Sequence, residues 1–368
     1  MTNEIWIMGA TGRSGGAVAA RLSAAGIPVV LVGRSRERLD ALAATLGDSV
    51  RVIAGSFESQ LKTLESLGLD GPRVVVSTVG PFAETSLRVA SACPAGTHYV
   101  DISNEFSAVE DILRLDARAK SRGQVLVTGA GFGVLGTEAV VVRLCEGQPR
   151  PLRVRVDAIA SVASDGERVG AALAGSIIEV MQYGGREVRS GRLVRSATSS
   201  HPERVTTPDG DIMGTGGGAS GELLAAWNAS DADEVVAASI AAPTSPLMRR
   251  VALPALSVLI RIPGVARLLG AAIARITLKE GPMARSASWG HARVEWADGR
   301  IREGWLRAGD GSDFTADVMA EVARRLYVGE GAPGAYTPAA LFGAELAESV
   351  GAQITVTPAT IGEQTHAH

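Results

Sequence analysis

Glycines near the N-terminus carry the clearest chemical signal in this sequence. An apolar stretch at residues 4–8 is followed by Gly9, Gly12 and Gly15, and then by an alanine-rich run. This order indicates a strand, a turn and a helix, in which backbone N–H groups and the positive helix N-terminus can bind a pyrophosphate. A purely structural glycine turn is the alternative, but the strand–turn–helix context favours a dinucleotide site. The predicted cofactor contacts in this turn are Gly9, Ala10, Thr11, Gly12, Arg13 and Gly15.

The end of the next apolar strand, at residues 28–32, indicates which dinucleotide binds. NAD enzymes usually place Asp or Glu here, to accept a hydrogen bond from the ribose 2′-hydroxyl. This chain instead has Arg34 and Ser35, which can bind a 2′-phosphate through a forked guanidinium and a hydroxyl donor. We expect Arg36 to be solvated, whereas a solvated and a phosphate-binding position are both open for Arg38. The sequence therefore predicts NADP(H), with Arg34, Ser35 and Arg38 as candidate contacts.

A second cofactor-binding loop is predicted after the very apolar strand that ends near Ser77. Ligands of open parallel sheets lie outside the carboxyl ends of the strands, so this loop is expected to approach the nicotinamide half of the cofactor. Gly80 permits close approach, Pro81 stiffens the turn and Phe82 can wall the ring. A plain turn is the alternative, because Gly-Pro pairs occur in many loops. The candidate contacts are Thr78, Val79, Gly80, Pro81 and Phe82.

The candidate catalytic residues follow the next strand. Tyr99, Asp101 and Glu105 could donate a proton or anchor a substrate there, and His98 is a weaker candidate. Each also has a structural alternative. Tyr99 can lie in the strand interior, Asp101 can close a turn, and Glu105 can occupy the first turn of a helix, where its charge favours the dipole.

The elements that must position these residues form a regular series. Near-continuous apolar strands alternate with helices, which indicates an α/β fold with a Rossmann doubly wound parallel sheet of roughly six strands. From residue 152 charged and apolar residues alternate, which indicates an α+β substrate domain containing strands with one wet face. The predicted boundaries are 1–130 for the NADP-binding domain, 131–335 for a substrate or dimerisation domain, 336–358 for a C-terminal helix returning to the Rossmann domain, and 359–368 for a disordered tail.

Four further elements are predicted in the second domain. Residues 165–184 are expected to form a helix, 187–194 a hairpin, and 287–308 a pair of strands around Asp298-Gly299. The glycine-dense residues 210–221 lack the Gly-Lys-Ser/Thr ending of a phosphate loop and are predicted to be a mobile loop.

Composition limits the class of protein and its partners. The chain has 368 residues, a net charge of −3 and two cysteines, which favours two globular domains, no nucleic-acid partner, no metal site and a reducing cytoplasmic setting. The first strand starts too close to Met1 to leave room for a signal peptide. Arginines and prolines interrupt the apolar residues 248–278, so we expect two amphipathic helices rather than a membrane span. These helices could cover a substrate pocket, form a homodimer or contact a membrane surface, in that order of preference.

Six short segments follow one another at the spacing of a known family. They are Gly9-Ala10-Thr11-Gly12, Gly33-Arg34-Ser35, Gly80-Pro81-Phe82, Cys93, His98-Tyr99-Val100-Asp101 and Gly131-Phe132-Gly133. They resemble the saccharopine dehydrogenase-like NADP-binding family, and residues 188–194 and 281–286 resemble its bacterial branch, which includes trans-acting enoyl reductases. Where that branch usually has a Gly-Phe-Asp type turn this chain has Gly131-Phe132-Gly133, and where it has an acidic residue after a Gly-Pro-Ser type turn this chain has Met283-Ala284. These departures concern the substrate and not the fold.

The resemblance implies NADPH-dependent reduction of a C=C bond (enoyl or enone) or a C=N bond (imine). The apolar residues 248–278 favour a small or lipophilic specialised metabolite as the substrate. A non-catalytic NADPH-binding sensor or scaffold is the alternative hypothesis, because the chain shows no acid/base motif such as a Tyr-x-x-x-Lys pair.

Overall fold

A computed structural model describes residues 2–47, 50–163, 174–175, 178, 181–240, 259–260, 262, 264–277, 281, 283 and 285–361. The chain divides into two compact units. The first comprises Met1–Ser103, Ser107–Gly131 and Ser312–Phe342, and the second comprises Asn104–Phe106, Phe132–Gly311 and Gly343–His368. The domain boundaries given above from the sequence stay predictions.

The first unit is built on a sheet of seven parallel strands. They are β1 (Thr2–Met8), β2 (Val29–Gly33), β3 (Arg51–Ala54), β4 (Pro72–Ser77), β5 (His98–Asp101), β6 (Val125–Val127) and β15 (Gly334–Tyr336). Their order is β15-β6-β5-β4-β1-β2-β3, and every pairing is parallel. The connecting helices are α1 (Arg13–Ala24), α2 (Arg36–Leu46), α3 (Phe57–Ser66), α4 (Phe82–Ala92), α5 (Phe106–Leu113), α6 (Asp116–Ser121), α10 (Gly311–Tyr327) and α11 (Pro338–Phe342). The predicted Rossmann-like sheet is confirmed.

Apolar strands explain this architecture. The central strands contain Ile5, Leu31 and Val75, all with no exposed surface, because helices cover both faces of a parallel sheet. The structure corrects the sequence prediction in two places. β15 adds a seventh strand that a three-residue apolar pattern could not reveal. The single C-terminal helix predicted over 336–358 is replaced by two short helices, Pro338–Phe342 and Glu345–Ser349, and a strand, Gln353–Val356, because Gly343 and Gly351 adopt positive φ angles that end each helix.

The second unit contains a ten-stranded mixed sheet, which confirms the predicted α+β domain. Its strands are β7 (Arg153–Ile159), β8 (Gly185–Arg189), β9 (Arg192–Ser196), β10 (Ser200–Thr206), β11 (Ile212–Gly217), β12 (Glu234–Ser239), β13 (Ser288–Glu295), β14 (Arg300–Ala308), β16 (Gln353–Val356) and β17 (Thr360–Ile361). The main order is β10-β11-β12-β7-β13-β14-β16, with β17 beside β14 and β8 beside β12 and β9. Its helices are α7 (Phe132–Cys145), α8 (Gly221–Ser230), α9 (Val265–Ala274) and α12 (Glu345–Ser349).

Helix α7 packs closely on one face of this sheet. A Cβ at Gly290 of β13 would lie 2.0 Å from the Gly136 carbonyl oxygen, so glycine is required for the backbones to touch. Successive strand residues point to opposite faces, so His291 and its cross-strand partner Trp305 lie on the other face. The helix and the polar residues described below thus occupy opposite sides of the sheet.

Two hairpins predicted in this unit are confirmed, and one loop is not. β8 and β9 flank Ser190-Gly191, and β13 and β14 flank Asp298-Gly299. The glycine-dense segment predicted as a mobile loop contains β11. A Cβ at Gly217 would lie 2.7 Å from Ser200 Oγ, so the glycine permits close strand pairing instead of marking a loop.

Two predictions fall largely on residues outside the described part. Most of the helix predicted over 165–184 lies there, as does much of the 248–278 segment, of which α9 is described. Within the described residues no helix has both the length and the apolar composition needed to span a membrane. The tail predicted as disordered over 359–368 contains β17 at Thr360–Ile361, which pairs with β14, and from 362 onward it lies outside the described residues.

Candidate functional site

The turn between β1 and α1 has the close backbone packing of a pyrophosphate-binding loop. Gly9 has a φ of 80°, a conformation that glycine adopts without strain. A Cβ at Gly15 would lie 2.3 Å from the Gly9 carbonyl oxygen, so the first turn of α1 can reach the loop only without a side chain there. Gly12 is exposed above the turn and caps α1 with extended backbone. The residues present therefore fit a dinucleotide pyrophosphate.

Neighbouring strands hold this turn in place. The N–H groups of Gly9 and Ala10 donate to the Val32 carbonyl at 3.0 and 3.2 Å. The Thr78 hydroxyl, just beyond β4, donates to the carbonyl oxygens of Met8 at 3.0 Å and Gly9 at 3.2 Å. The Thr78 side chain thus holds the turn through the backbone carbonyl oxygens of Met8 and Gly9.

Three arginines follow β2, and they differ in their interaction partners. Arg36 is paired with Asp40 at 2.8 Å on the surface of α2. Arg38 donates to the Thr11 carbonyl at 2.8 Å, which ties α2 to the glycine turn, and its N–H donates to the capping hydroxyl of Ser35 at 3.4 Å. Arg34 is exposed, and within the described part of the chain its guanidinium has no hydrogen-bond or ion-pair partner. It is therefore available for a 2′-phosphate.

The loop after β4 is only partly open. Val79, Gly80 and Pro81 are half-buried, and the Thr85 hydroxyl donates to the Val79 carbonyl and, at 3.0 Å, to that of Pro81. Phe82 begins α4 and is 4% exposed, so its ring lies in the interior. Val79 to Pro81 are therefore the part of this loop that can face a ligand. The buried position of Phe82 does not favour the predicted role of its side chain as a wall beside the nicotinamide ring, and that role stays a prediction.

Tyr99 and Asp101 are fully buried and bonded to each other. The Tyr99 hydroxyl donates to Asp101 Oδ2 at 2.7 Å, while Asp101 Oδ1 accepts from the N–H of Ser103, the hydroxyl of Thr128 and the N–H of Gly129 at 2.9–3.1 Å. Burial raises the pKa of Asp101 and, together with the Asp101 charge, that of Tyr99. These contacts join the ends of β5 and β6. They agree with the structural roles given above as alternatives, a strand-interior position for Tyr99 and a turn-closing position for Asp101. The catalytic roles of both residues are not favoured by this geometry and stay predictions.

Glu105 is 2% exposed and directly precedes α5. It belongs to the second unit, as does its neighbour Asn104. The structure thus places Asp101 and Glu105, predicted together from one loop, in different compact units. Glu105 stays a candidate proton donor.

A polar pair in the second unit, formed by the half-buried Asn104 and the buried Glu222, was not predicted from the sequence. Asn104 Nδ2 donates to Glu222 Oε1 at 2.8 Å, and the Gly221 N–H donates to the Asn104 carbonyl at 3.0 Å. Burial raises the pKa of Glu222, although bonds from Ser220, its own backbone and Asn104 lower it. In the sequence Glu222 looks like an ordinary acid in the first turn of a helix, so no local signal could have identified it.

A second unpredicted cluster lies on the face of the sheet opposite α7. Asp157 of β7 is fully buried and binds Arg155 at 2.9 Å, the Thr215 hydroxyl at 2.6 Å and His291 Nδ1 at 3.0 Å. The His291 ring stacks on Trp305, with ring centroids 4.3 Å apart. Burial opposes ionisation, but His291 and Arg155 outweigh it and lower the pKa of Asp157. The one sequence signal for this cluster is the alternation of charged and apolar residues at Arg155-Val156-Asp157 in β7.

Metal or thiol chemistry finds no support among the described residues. They contain no group of three or more His, Cys, Asp or Glu arranged to hold a metal ion. Burial raises the pKa of the Cys93 thiol to about 12 and that of Cys145 to about 11, so both free cysteines are neutral thiols near neutral pH.

Comparisons with known proteins agree with the geometry of the first unit. Residues 5–127 match the family "Saccharopine dehydrogenase NADP binding domain". A Mycobacterium tuberculosis protein named "Putative trans-acting enoyl reductase Rv2449c" is 32% identical over 147 residues, which cover 38% of this chain and 35% of that protein. A shikimate dehydrogenase (NADP(+)) of Paramagnetospirillum magneticum is 36% identical over 127 residues, 34% of this chain and 43% of that protein. These matches span less than half of either relative.

One solved structure is similar over nearly the whole chain. Saccharopine dehydrogenase (L-Glu forming) from Saccharomyces cerevisiae aligns with 96% of this chain and 100% of its own, with a TM-score of 0.59 and 12% sequence identity. At this identity the likeness shows a shared fold, a Rossmann-like sheet followed by a mixed-sheet domain.

Proposed function

We propose that this chain, whose residues 5–127 match the saccharopine dehydrogenase NADP-binding domain family, is an NADPH-dependent oxidoreductase. The observation that carries the proposal is the Gly9–Gly15 turn together with the exposed guanidinium of Arg34 at the end of β2, which has no partner among the described residues. A turn of this kind binds the pyrophosphate, and a free guanidinium binds a 2′-phosphate.

The proposed reaction is reduction of a C=C bond in an enoyl or enone substrate, or of a C=N bond in an imine. The relative named as an enoyl reductase supports the first, and the fold shared with a saccharopine dehydrogenase supports the second. The substrate is proposed to be a small or lipophilic metabolite. NADPH, when bound, supplies a hydride and so two electrons; the protein must supply or admit a proton.

The cofactor preference is tested by comparing two neighbouring arginines. Arg34→Ala should weaken NADPH binding by tenfold or more, about 1.4 kcal/mol, and leave NADH binding unchanged, because only NADPH carries the 2′-phosphate. Arg36→Ala is the matched control, since Arg36 is already paired with Asp40. The measurement is a titration of each purified variant with each cofactor. Equal NADPH affinity in both variants would remove the assignment of Arg34.

The reaction class is tested by following the absorbance of NADPH with two substrate sets. One set pairs 2-oxo acids with amines, and the other contains enoyl thioesters and extended enones. Oxidation with one set only would choose between imine and enoyl reduction. Activity must depend on both protein and acceptor, so each assay is repeated without one of them.

A non-catalytic NADPH sensor is the second candidate, and one observation favours it. Tyr99 and Asp101, two of the three residues predicted as catalytic, are occupied by structural hydrogen bonds in the interior. NADPH binding without oxidation by any acceptor of either set would support the sensor. Homodimerisation, peripheral membrane contact and a cytoplasmic location stay predictions from the sequence.

A further inference from the structure

Helix α9 of the second unit is apolar but buries none of its side chains. It runs from Val265 to Ala274, has one charged residue, Arg267, and contains no buried residue. A helix that covers a core or a pocket buries its apolar stripe. The half-buried side of α9 faces the rest of the unit, where a Cβ at Gly270 would lie 3.6 Å from Ile178 Cγ1. The apolar residues on its other side therefore need a different explanation.

The exposed side of α9 combines apolar and cationic residues. They recur at the spacing of one helix face, which we call the α9 face, and are Arg267, Leu268, Ala271, Ala272, Arg275 and Ile276. Leu268 is 74% exposed and Ile276 is 52% exposed, and Leu259 and Ile262 before the helix are also exposed. Single exposed apolar residues are normal on a protein surface, but several in one region indicate an interaction site.

The charges of this region have one sign. Arg267 and Arg275 are both exposed, and neither has a hydrogen-bond or ion-pair partner among the described residues. In the sequence, residues 235–279 contain six arginines and lysines and no aspartate or glutamate, although the whole chain has a net charge of −3. Because no acid close in the sequence neutralises these arginines, the α9 face favours an anionic partner.

A membrane surface fits these observations better than a second copy of the chain or a nucleic acid. In a two-fold symmetric dimer the same patch contacts itself, which would bring the arginines of one α9 face against those of the other. A nucleic acid would neutralise the arginines but leave Leu268 and Ile276 in water. An anionic lipid surface accepts both kinds of side chain, since apolar residues enter the acyl boundary and arginines bind the headgroups.

We propose that the α9 face binds the anionic headgroup surface of a membrane. Leu268 and Ile276 enter the acyl boundary, and Arg267 and Arg275 bind lipid phosphates. The 10 residues of α9 span about 15 Å, roughly half of the hydrocarbon core of a bilayer, so the helix lies in the plane of the interface and does not cross it. This inference is independent of the reductase function proposed above.

Vesicle sedimentation with the 368-residue chain tests the proposal. The protein is mixed with vesicles of phosphatidylcholine and phosphatidylglycerol in equal amounts, or of phosphatidylcholine alone, and the bound fraction is measured against lipid concentration. We expect much stronger binding to the mixed vesicles, and a decrease as salt rises from about 0.05 M to about 0.3 M, because salt screens the attraction to the headgroups. Equal binding to the two compositions, or binding to neither, overturns the proposal.

The contribution of charge is measured with two pairs of arginines. Arg267→Gln combined with Arg275→Gln should weaken binding to the mixed vesicles by about 25-fold, since each arginine at an anionic surface contributes about fivefold. Arg192→Gln combined with Arg195→Gln is the matched control, because both arginines of β9 are exposed and their loss changes the net charge equally. Equal losses in the two double variants would indicate a general charge effect and overturn the assignment to α9.

The contribution of apolar contact is measured with two exposed residues. Leu268→Ser should weaken binding to the mixed vesicles at least tenfold, because the leucine side chain leaves water when the helix binds. Ile212→Ser is the matched control, since Ile212 of β11 is 66% exposed and lies outside the α9 face. Circular dichroism checks that each variant keeps its fold. Binding that Leu268→Ser leaves unchanged overturns the proposed insertion.

Analytical ultracentrifugation measures the alternative of contact between copies. We expect the protein without vesicles to have the same oligomeric state as Leu268→Ser. A protein that binds neither vesicle composition but forms a dimer that Leu268→Ser dissociates would assign the α9 face to a second copy of the chain and overturn membrane binding.

Discussion

The two sheets of this protein place their buried polar groups differently. In the first, His98 and Asp101 lie at the two ends of β5, and the strand centres are apolar. In the second, Arg155, Asp157 and His291 lie in the middle of β7 and β13. A parallel sheet that is covered on both faces leaves polar groups at the ends of its strands, and ligands bind at the carboxyl ends. In the mixed sheet, among the described residues, α7 packs on one face and the charged network lies on the other.

The largest predicted effect removes the centre of that network. Asp157→Asn removes the buried carboxylate that pairs with Arg155 and leaves this arginine only the exposed Glu203 as an ion-pair partner, so we expect a loss of about 3–5 kcal/mol in the free energy of unfolding. Urea unfolding followed by tryptophan fluorescence is a suitable measurement, because Trp227, Trp289, Trp296 and Trp305 belong to the second unit. Asp40→Asn breaks only an exposed pair and should cost less than about 1 kcal/mol. Similar losses in both variants would contradict the contrast between the sheets.

His98 provides the corresponding test in the first sheet. Its Nδ1 accepts from the Val125 N–H at 3.0 Å, and burial, assisted by Arg73, lowers its pKa to about 4. The unfolded chain binds a proton at His98 near pH 6.5 and the folded chain does not, so this contribution to stability is complete above pH 6.5. It is lost as the pH falls towards 4, by up to about 3 kcal/mol.

His98→Asn keeps an acceptor for the Val125 N–H but cannot titrate. The difference in unfolding free energy between wild type and variant should therefore shrink or reverse between pH 6.5 and 4. A difference that stays constant over this range would show that His98 titrates alike in the folded and unfolded chains.

Gly15 tests how closely the glycine turn and α1 must pack at the cofactor-binding end of the first sheet. Gly15→Ala forces the loop and α1 apart, which should cost about 1–3 kcal/mol and weaken NADPH binding at least tenfold. Gly16→Ala is the control, since its Cβ would approach the Ala10 carbonyl oxygen only to 3.4 Å. That variant should gain up to about 1 kcal/mol from helix propensity. Calorimetry and NADPH titration measure both quantities.

The smallest predicted effect separates stability from binding within the first unit. Ser35 and Ser56 both cap helices by accepting a backbone N–H, at 3.4 and 3.2 Å. Each change to alanine should cost about 1 kcal/mol of stability. Only Ser35→Ala should also weaken NADPH binding, because Ser35 follows β2 beside Arg34. Equal NADPH affinity in the two variants would limit Ser35 to capping.

The sequence predicted the first sheet well because its information is local. β1, β2 and β4 are short apolar runs between turns, and the glycine spacing identifies the cofactor loop directly. The exposed position of Arg34 also follows from its place after a strand. From the sequence, the interior position of Tyr99 and the turn-closing position of Asp101 are only alternatives, since residue type does not show whether a polar group at a strand end has donors around it.

The second unit was harder to predict because its key contacts join distant residues. His291 and Asp157 are 134 positions apart, and Asn104 and Glu222 are 118 apart, so no local pattern records either pair. The prediction of a loop at β11 is wrong because glycines normally indicate a loop. Only the pairing with β10 shows that they permit close approach of the two strands. The pairing of strands that are far apart in the sequence, unlike apolar periodicity, cannot be predicted from neighbouring residues.

The last strand of the first sheet has a consequence for synthesis of the protein. β15 pairs with β6 through residues 334–336, so most of the second unit is translated between the two partners. Until then β6 is an open edge, with backbone donors and acceptors that another chain could pair with. The nucleotide-binding unit is therefore completed only after most of the second unit has been translated, and chaperone protection would matter most during that interval.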